Sequence, residues 1–183
     1  MIIKTLIFLV VSLIIMYFSR SSINKPQSHG FYRFFAWESI AALVLLNISS
    51  WFTNPFSVTQ IISWILLVIS LFLIIHGIIL LRKIGKPNET RSDSTLLGLE
   101  KTTILVEEGT YRYIRHPFYS SLLFLCWGVF LKSISIGGLV LAVLATIFLV
   151  FTGKFEEKED IRYFGNEYKE YMKRTKMFIP FMF

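Results

Sequence analysis

IISWILLVISLFLIIHGIILL, residues 61–81, is the stretch that decides the fold. It is 21 residues long, and its only ionisable side chain is His76. Wound as an α-helix, such a run reaches about 30 Å, the depth of a bilayer's hydrocarbon core. Working outward, four more apolar runs flank it. Residues 2–18 are broken only by Lys4, Thr5 and Ser12. Their apolar core is long and no small-residue cleavage site follows, so they read as a retained span and not as a signal peptide. Residues 36–52 form a second span, with Trp37 and Trp51 as interface anchors and Glu38 near one end, close enough to face water. Residues 118–131 and 134–151 complete the set, the former short and sheltered by its neighbours. The expected fold is all-α: a polytopic integral membrane protein of about five transmembrane helices, one domain over residues 1–183, with a cytoplasmic C-terminal helical extension.

Composition agrees. The chain is 54% hydrophobic, 16% aromatic and only 17% charged, whereas soluble domains are about 25% charged. Disorder is excluded by the same arithmetic. A single cysteine, Cys126, excludes a disulfide framework and any Cys-based zinc site, and reads as a small buried hydrophobe. The net charge of +7 would suit a nucleic-acid binder in a soluble protein. In a membrane protein it reads as cationic loops facing anionic lipid. No nucleic-acid partner is expected.

Loop charge orients the spans. Arg20, Lys25 and Arg33 follow the first; Arg82, Lys83, Lys86, Arg112 and Arg115 follow the third. The turn 53–60 carries no charge, and the turn after the fourth span only Lys132. The positive-inside rule therefore puts loops 19–35 and 82–117 and the tail in the cytoplasm, with the N-terminus outside. Residues 154–176 extend the last span with amphipathic aromatic spacing, Gly165 should break that extension, and the tail FIPFMF should pack back on the membrane surface.

Chemistry gathers at two places on that cytoplasmic side. One is GTYRYIRHPFY, residues 109–119. Pro117 fits the first turn of the fourth helix, where its missing N–H costs nothing. His116 then stands at a helix mouth, where free N–H groups and the dipole favour an anion, and Tyr119 and Ser120 share roughly that face. The alternative is a positive-inside cluster with interfacial tyrosines. The other place is Glu156-Glu157, which taken alone reads as a solvated helix end but needs cationic partners if it lies near hydrocarbon. Glu38 and His76, in or beside spans, are weaker candidates. No phosphate loop, dinucleotide fingerprint or metal-ligand spacing occurs, and no metal is expected.

Gly109-x-Tyr111-x-x-x-Arg115-His116-Pro117-x-Tyr119, then Glu156-Glu157, then Phe164-Gly165-x-Glu167-Tyr168-x-x-Tyr171, resembles the isoprenylcysteine carboxyl methyltransferase family. The related phospholipid N-methyltransferases share much of this layout. The resemblance covers roughly residues 80–183 and implies a membrane-embedded methyltransferase using S-adenosylmethionine. It implies a cytoplasmic cofactor pocket built by Thr103, Ile104, Leu105, Val106, Tyr111, His116, Pro117, Phe118, Tyr119 and Glu156. Arg115 and Glu157 are the expected catalytic pair, with Glu157 or a tyrosine taking a proton where the acceptor has one to lose. The physics agrees with that pocket: a zwitterionic amino acid suits a helix N-terminus with a histidine for its carboxylate and an acid for its ammonium. Two positions depart from the pattern, Thr103 where eukaryotic members usually carry histidine and Thr152 where the family often carries arginine. The expected acceptor is lipid-like or prenylated, a prenylcysteine carboxylate first, with a phospholipid amine or a small thiol as alternatives. A membrane reductase using a nicotinamide cofactor and a non-catalytic membrane protein stand as rival readings.

Overall fold

The computed structural model describes residues 2–88, 98 and 100–181. Among these, six α-helices carry the fold: α1 (Ile2–Ile23), α2 (His29–Asn47), α3 (Val58–Leu80), α4 (Pro117–Phe130), α5 (Ile136–Phe164) and α6 (Asn166–Arg174). No strand occurs among the described residues, only an isolated parallel bridge between Ile114 and Lys176. Local chemistry sets the boundaries. Ser28, Ser57 and Ser135 cap α2, α3 and α5, each hydroxyl accepting an otherwise unpaired first-turn N–H. Pro117 opens α4. Gly165, at φ +65°, stops α5 as the sequence indicated.

Four helices are long and apolar enough to cross a membrane: Ile2–Ile23, His29–Ser50, Val58–Gly85 and Ile136–Phe164. The fifth apolar helix, α4, has only 14 residues, about 21 Å at 1.5 Å per residue. The chain is thus a polytopic, all-helical membrane protein. α2 packs on α5, α3 on α4, and α1 lies against α2. The core is a cluster of Ile40, Leu43, Cys126, Val129, Phe130, Ala142 and Ala145. Leu6, Val10 and Leu13 of α1 face outward, as a lipid-facing surface requires.

The helices alternate in direction. His29 reaches Glu159 at one end, while Lys132 meets Gln60 at the other, with Nζ to Oε1 3.0 Å. The ends of α1, α3 and α5 and the starts of α2 and α4 therefore share one end of the bundle. The described parts of the loops expected in the cytoplasm lie there. Residues 89–97 and 99 of the 82–117 loop, and Met182 and Phe183 of the tail, lie outside the described residues.

Three expectations change. α2 begins at His29, not at residue 36, because its charged first turns find buried partners. Arg33, read as a loop charge, is inside it and 1% exposed. The earlier start carries Glu38 into the third turn, where it faces α1 and not water: Ser12 Oγ donates to its Oε2 at 2.6 Å. The tail FIPFMF is not all at the surface: Phe181 is exposed, but Phe178 is not, nor is Met177 just before it. Both are buried with Ala36, Tyr119 and Leu149, the Phe178 ring filling space left by Gly153.

Candidate active site

The start of α4 is placed by the chain's own tail. Arg115 N–H donates to Lys176 O (2.8 Å), His116 N–H to Met177 O (3.2 Å), and Lys176 N–H returns to Tyr113 O (3.0 Å). Ser120 Oγ donates to Phe178 O at 2.8 Å. These bonds fix His116 at the helix mouth. Ser120 N–H, bonded to His116 O, is the first to enter the helical ladder, so the helix itself leaves the N–H groups of Phe118 and Tyr119 unused.

Opposite stands α5. Glu156, Asp160 and Phe164 recur every fourth residue and line one cavity with Arg115, His116, Tyr119 and the α6 tyrosines Tyr168 and Tyr171. The remaining wall comes from Leu81, Glu100, Thr102, Leu105, Val106, Tyr111, Pro117 and Phe118. The space between these walls is about 590 Å³, including its open mouth. Tyr171 donates its hydroxyl to Tyr111 O at 2.6 Å, tying α6 to the turn 109–112. That turn needs Gly109: its φ is +58°, and a Cβ there would meet His76 Cε1 at 2.6 Å. His76, a candidate by its place in a span, packs on Phe72 and lies 3.3 Å from Thr110 Oγ1.

The acids at the end of α5 are not solvated. Glu156 Oε2 lies 3.2 Å from His116 Nδ1. Glu157 Oε1 accepts from Arg115 Nε at 2.6 Å, and Arg115 also donates to Thr175 O at 2.6 Å. Burial works against a charge on His116, but the Glu156 and Glu157 carboxylates more than offset it and push its pKa up to about 9. Burial, with Glu156 nearby, holds the Tyr111 phenol well above its ordinary value, so it is a neutral donor at pH 7. Two polar atoms in this wall are buried without a full hydrogen bond: His116 Nε2, which has only Glu157 Oε1 at 3.5 Å, and the Tyr119 hydroxyl. Such orphans are costly unless a ligand or water meets them.

Of the expected site residues, Leu105, Val106, Tyr111, Arg115, His116, Pro117, Phe118, Tyr119 and Glu156 share this cavity. Thr103, Ile104 and Glu157 are outside its wall. The N–H groups of Thr103 and Ile104 both go to Gly85 O, and the Thr103 hydroxyl to Lys86 O, so these residues anchor the segment from behind. Thr152 is fully buried, its hydroxyl donating to Phe148 O at 2.7 Å, and does not face the cavity. Asp160 was legible as the fourth residue after Glu156. Glu100 was not, since no local pattern marks a loop acid whose partners are on α2.

A second cavity adjoins the first. Phe18, Arg33, Trp37, Ile74, Gly98 and Leu122 line it, and it shares Glu100, Phe118 and Tyr119 with the polar one. Its walls are mostly apolar, and it encloses about 1250 Å³ including its mouth. Helices α1 to α4 each contribute a residue, so it opens among the apolar helices and meets the polar cavity at Tyr119.

Comparison with known proteins places this architecture. A methanethiol S-methyltransferase of Pseudomonas deceptionensis is 33% identical over 70 residues, 38% of this chain and 26% of that protein. A methanethiol S-methyltransferase of Crocosphaera subtropica is 27% identical over an alignment of 187 residues, 87% of this chain and 64% of that protein. Protein-S-isoprenylcysteine O-methyltransferase B of Arabidopsis thaliana is 33% identical over 108 residues, 56% of this chain and 54% of that protein. The matched stretches thus span from about a quarter to just under two thirds of these relatives' lengths. No solved structure matches the chain. Residues 58–167, from the first residue of α3 to the second of α6, match the phospholipid methyltransferase family. That stretch is more than half of the chain and holds His116, Glu156 and most of the polar wall, and by it the chain belongs to the phospholipid methyltransferase family.

Proposed function

We propose that this chain is an integral-membrane methyltransferase that takes its methyl group from S-adenosylmethionine in the polar cavity. Its acceptor is a lipid-like molecule held in the apolar cavity beside it. The observation that carries the reading is the junction of the two cavities at Tyr119, next to a histidine and a tyrosine whose buried polar atoms lack a full hydrogen bond. Three acids, Glu100, Glu156 and Asp160, stand in the polar wall against Arg115 and His116, which suits a ligand bearing ammonium and sulfonium charge.

The bound donor supplies a methyl already activated on a sulfonium. What remains for the protein is to hold and desolvate. Glu156 is placed for an ammonium, and His116 Nε2 with the free N–H groups opening α4 for a carboxylate. Phe118, Leu105 and Val106 exclude water. Arg115, bonded to Glu157 and to Thr175 O beyond α6, sets the height of His116. Neither Glu157, which is engaged by Arg115, nor neutral Tyr111 is set up to remove a proton. An acceptor that reacts as an anion therefore fits better than an amine. The relatives bearing methanethiol in their names favour a small thiol as second reading, but an apolar cavity lined from four helices is far larger than that acceptor needs.

In this reading residues 1–183 act as one membrane domain, with the N-terminus outside and both cavities on the cytoplasmic side, where the basic loops lie. The test is transfer of labelled methyl from S-adenosylmethionine to a prenylcysteine, a phosphatidylethanolamine and a thiol by the purified protein, with Glu156→Ala as control. Transfer to a lipid-like acceptor that Glu156→Ala abolishes is expected. Absence of both donor binding and transfer in the unaltered protein overturns the reading.

A further inference from the structure

Arg33 and Glu100 are the charged residues in the wall of the apolar cavity. Both carboxylate oxygens of Glu100 lie 2.6 Å from Arg33 Nη1. The two partners are held very differently. Arg33 belongs to the helical frame: its guanidinium lies over the Trp37 ring at 5.1 Å, and its Nη1 is 3.4 Å from His29 Nε2. His29 is in turn locked to Glu159 of α5, with Nδ1 to Oε2 2.6 Å. Glu100 lies outside the helices, between α3 and α4, and its Oε2 is also 3.7 Å from His29 Nε2. A buried arginine in a membrane helix cannot stand without an anion. Here the cation stands on a helix and its anion on the segment between α3 and α4.

We propose that Arg33 selects the methyl acceptor, and that Glu100 is a resident stand-in for the acceptor's anionic head group, released from Arg33 when an anionic amphiphile fills the apolar cavity. The assignment rests on the acceptor role given above to that cavity. An exchange of one anion for another leaves Arg33 paired throughout, so no uncompensated charge is ever buried. Glu100 already holds a carboxylate at that place, which defines the shape of the head group accepted. Because Glu100 also lines the polar cavity, its release connects acceptor binding to the space where the donor is held. A neutral head group has nothing to offer Arg33 in exchange and leaves Glu100 in place.

The test uses the full chain in a neutral detergent with three probes of equal chain length: N-dodecanoylglycine, its neutral amide, and dodecylammonium. Binding of S-adenosylhomocysteine is measured on the same samples. The carboxylate should bind about tenfold or more tighter than the amide, the order expected of one charge-assisted pair. Arg33→Gln should abolish that preference and Arg33→Lys keep part of it. Glu100→Gln, which weakens the resident competitor, should widen the preference while leaving the amide's affinity unchanged. Equal binding of carboxylate and amide, a preference for dodecylammonium, or a preference that neither Arg33→Gln nor Glu100→Gln alters would overturn the proposal. Failure of the unaltered protein to bind S-adenosylhomocysteine would remove the methyltransferase reading instead, and leaves the amphiphile preference to be read by itself.

Discussion

Adjacent acids at the end of α5 should separate cleanly when each is made neutral. Glu157 accepts from Arg115 Nε at 2.6 Å, and their side chains are 10% and 9% exposed. Removing one partner of a buried pair costs about 3–5 kcal/mol. The remaining exposure and the retained amide of glutamine place Glu157→Gln at the lower end, about 3 kcal/mol. For a chain of this size, each kcal/mol moves the midpoint by about 2–4 °C, so a fall of about 6–12 °C is expected. Glu156 is held by His116 instead, with Nδ1 at 3.2 Å, and forms cavity wall. Glu156→Gln should lower the midpoint less than Glu157→Gln does, since Glu157 Oε1 still faces His116 Nε2 at 3.5 Å, and should remove a charge-assisted bond to the donor's ammonium. At about 1.5–3 kcal/mol that loss weakens binding by roughly ten- to a hundredfold. Thermal unfolding in detergent and calorimetric titration with S-adenosylhomocysteine read the two effects separately. If the variants lose stability alike, or if Glu157→Gln loses ligand affinity while keeping its midpoint, the division of labour between these acids is wrong.

Other outcomes follow from the same geometry. The His116 pKa rises from 6.5 to about 9, so the stabilisation its charge provides is fully present below pH 6.5 and lost as pH climbs through about 9. His116→Gln should flatten that alkaline limb of the unfolding midpoint against pH. Gly109→Ala should destabilise by about 2–5 kcal/mol, from the left-handed backbone and from overpacking, because its Cβ would sit 2.6 Å from His76 Cε1. Adding His76→Ala should recover only part of the packing cost, because Leu80 Cδ1 would still lie 2.7 Å from the new Cβ, as a double-mutant cycle would show. Tyr171→Phe removes the bond to Tyr111 O and should cost about 1 kcal/mol, read by thermal unfolding.

The spans were legible because a bilayer asks only for length and apolarity, and residues 61–81 supply both. The site was legible to the extent that it is local. His116, Pro117 and Tyr119 sit within one helical turn, and Glu156 marks its partner face. What escaped was set by distance along the chain. Arg33 looks like a loop charge until Glu100, 67 residues away, is placed beside it. The charges of His29 and Arg33 hid the true start of α2, since a residue-by-residue reading cannot know that each has an anion waiting. Thr103 and Ile104 lie in the right segment, but their side chains are turned away by backbone bonds to Gly85 that no side-chain pattern announces.

The mismatch between α4 and α5 has a wider consequence. One has 14 residues and the other 29, about 21 Å against about 43 Å of helix. With the far end of α4 at the opposite interface, a mouth at the end of so short a helix would lie recessed beneath the headgroup plane, and lipid around it would dip to meet it. A hydrophobic acceptor then never has to rise out of its own leaflet to react. Turnover should respond to the acyl-chain length of the host bilayer, making membrane thickness a control on the enzyme that needs no effector at all.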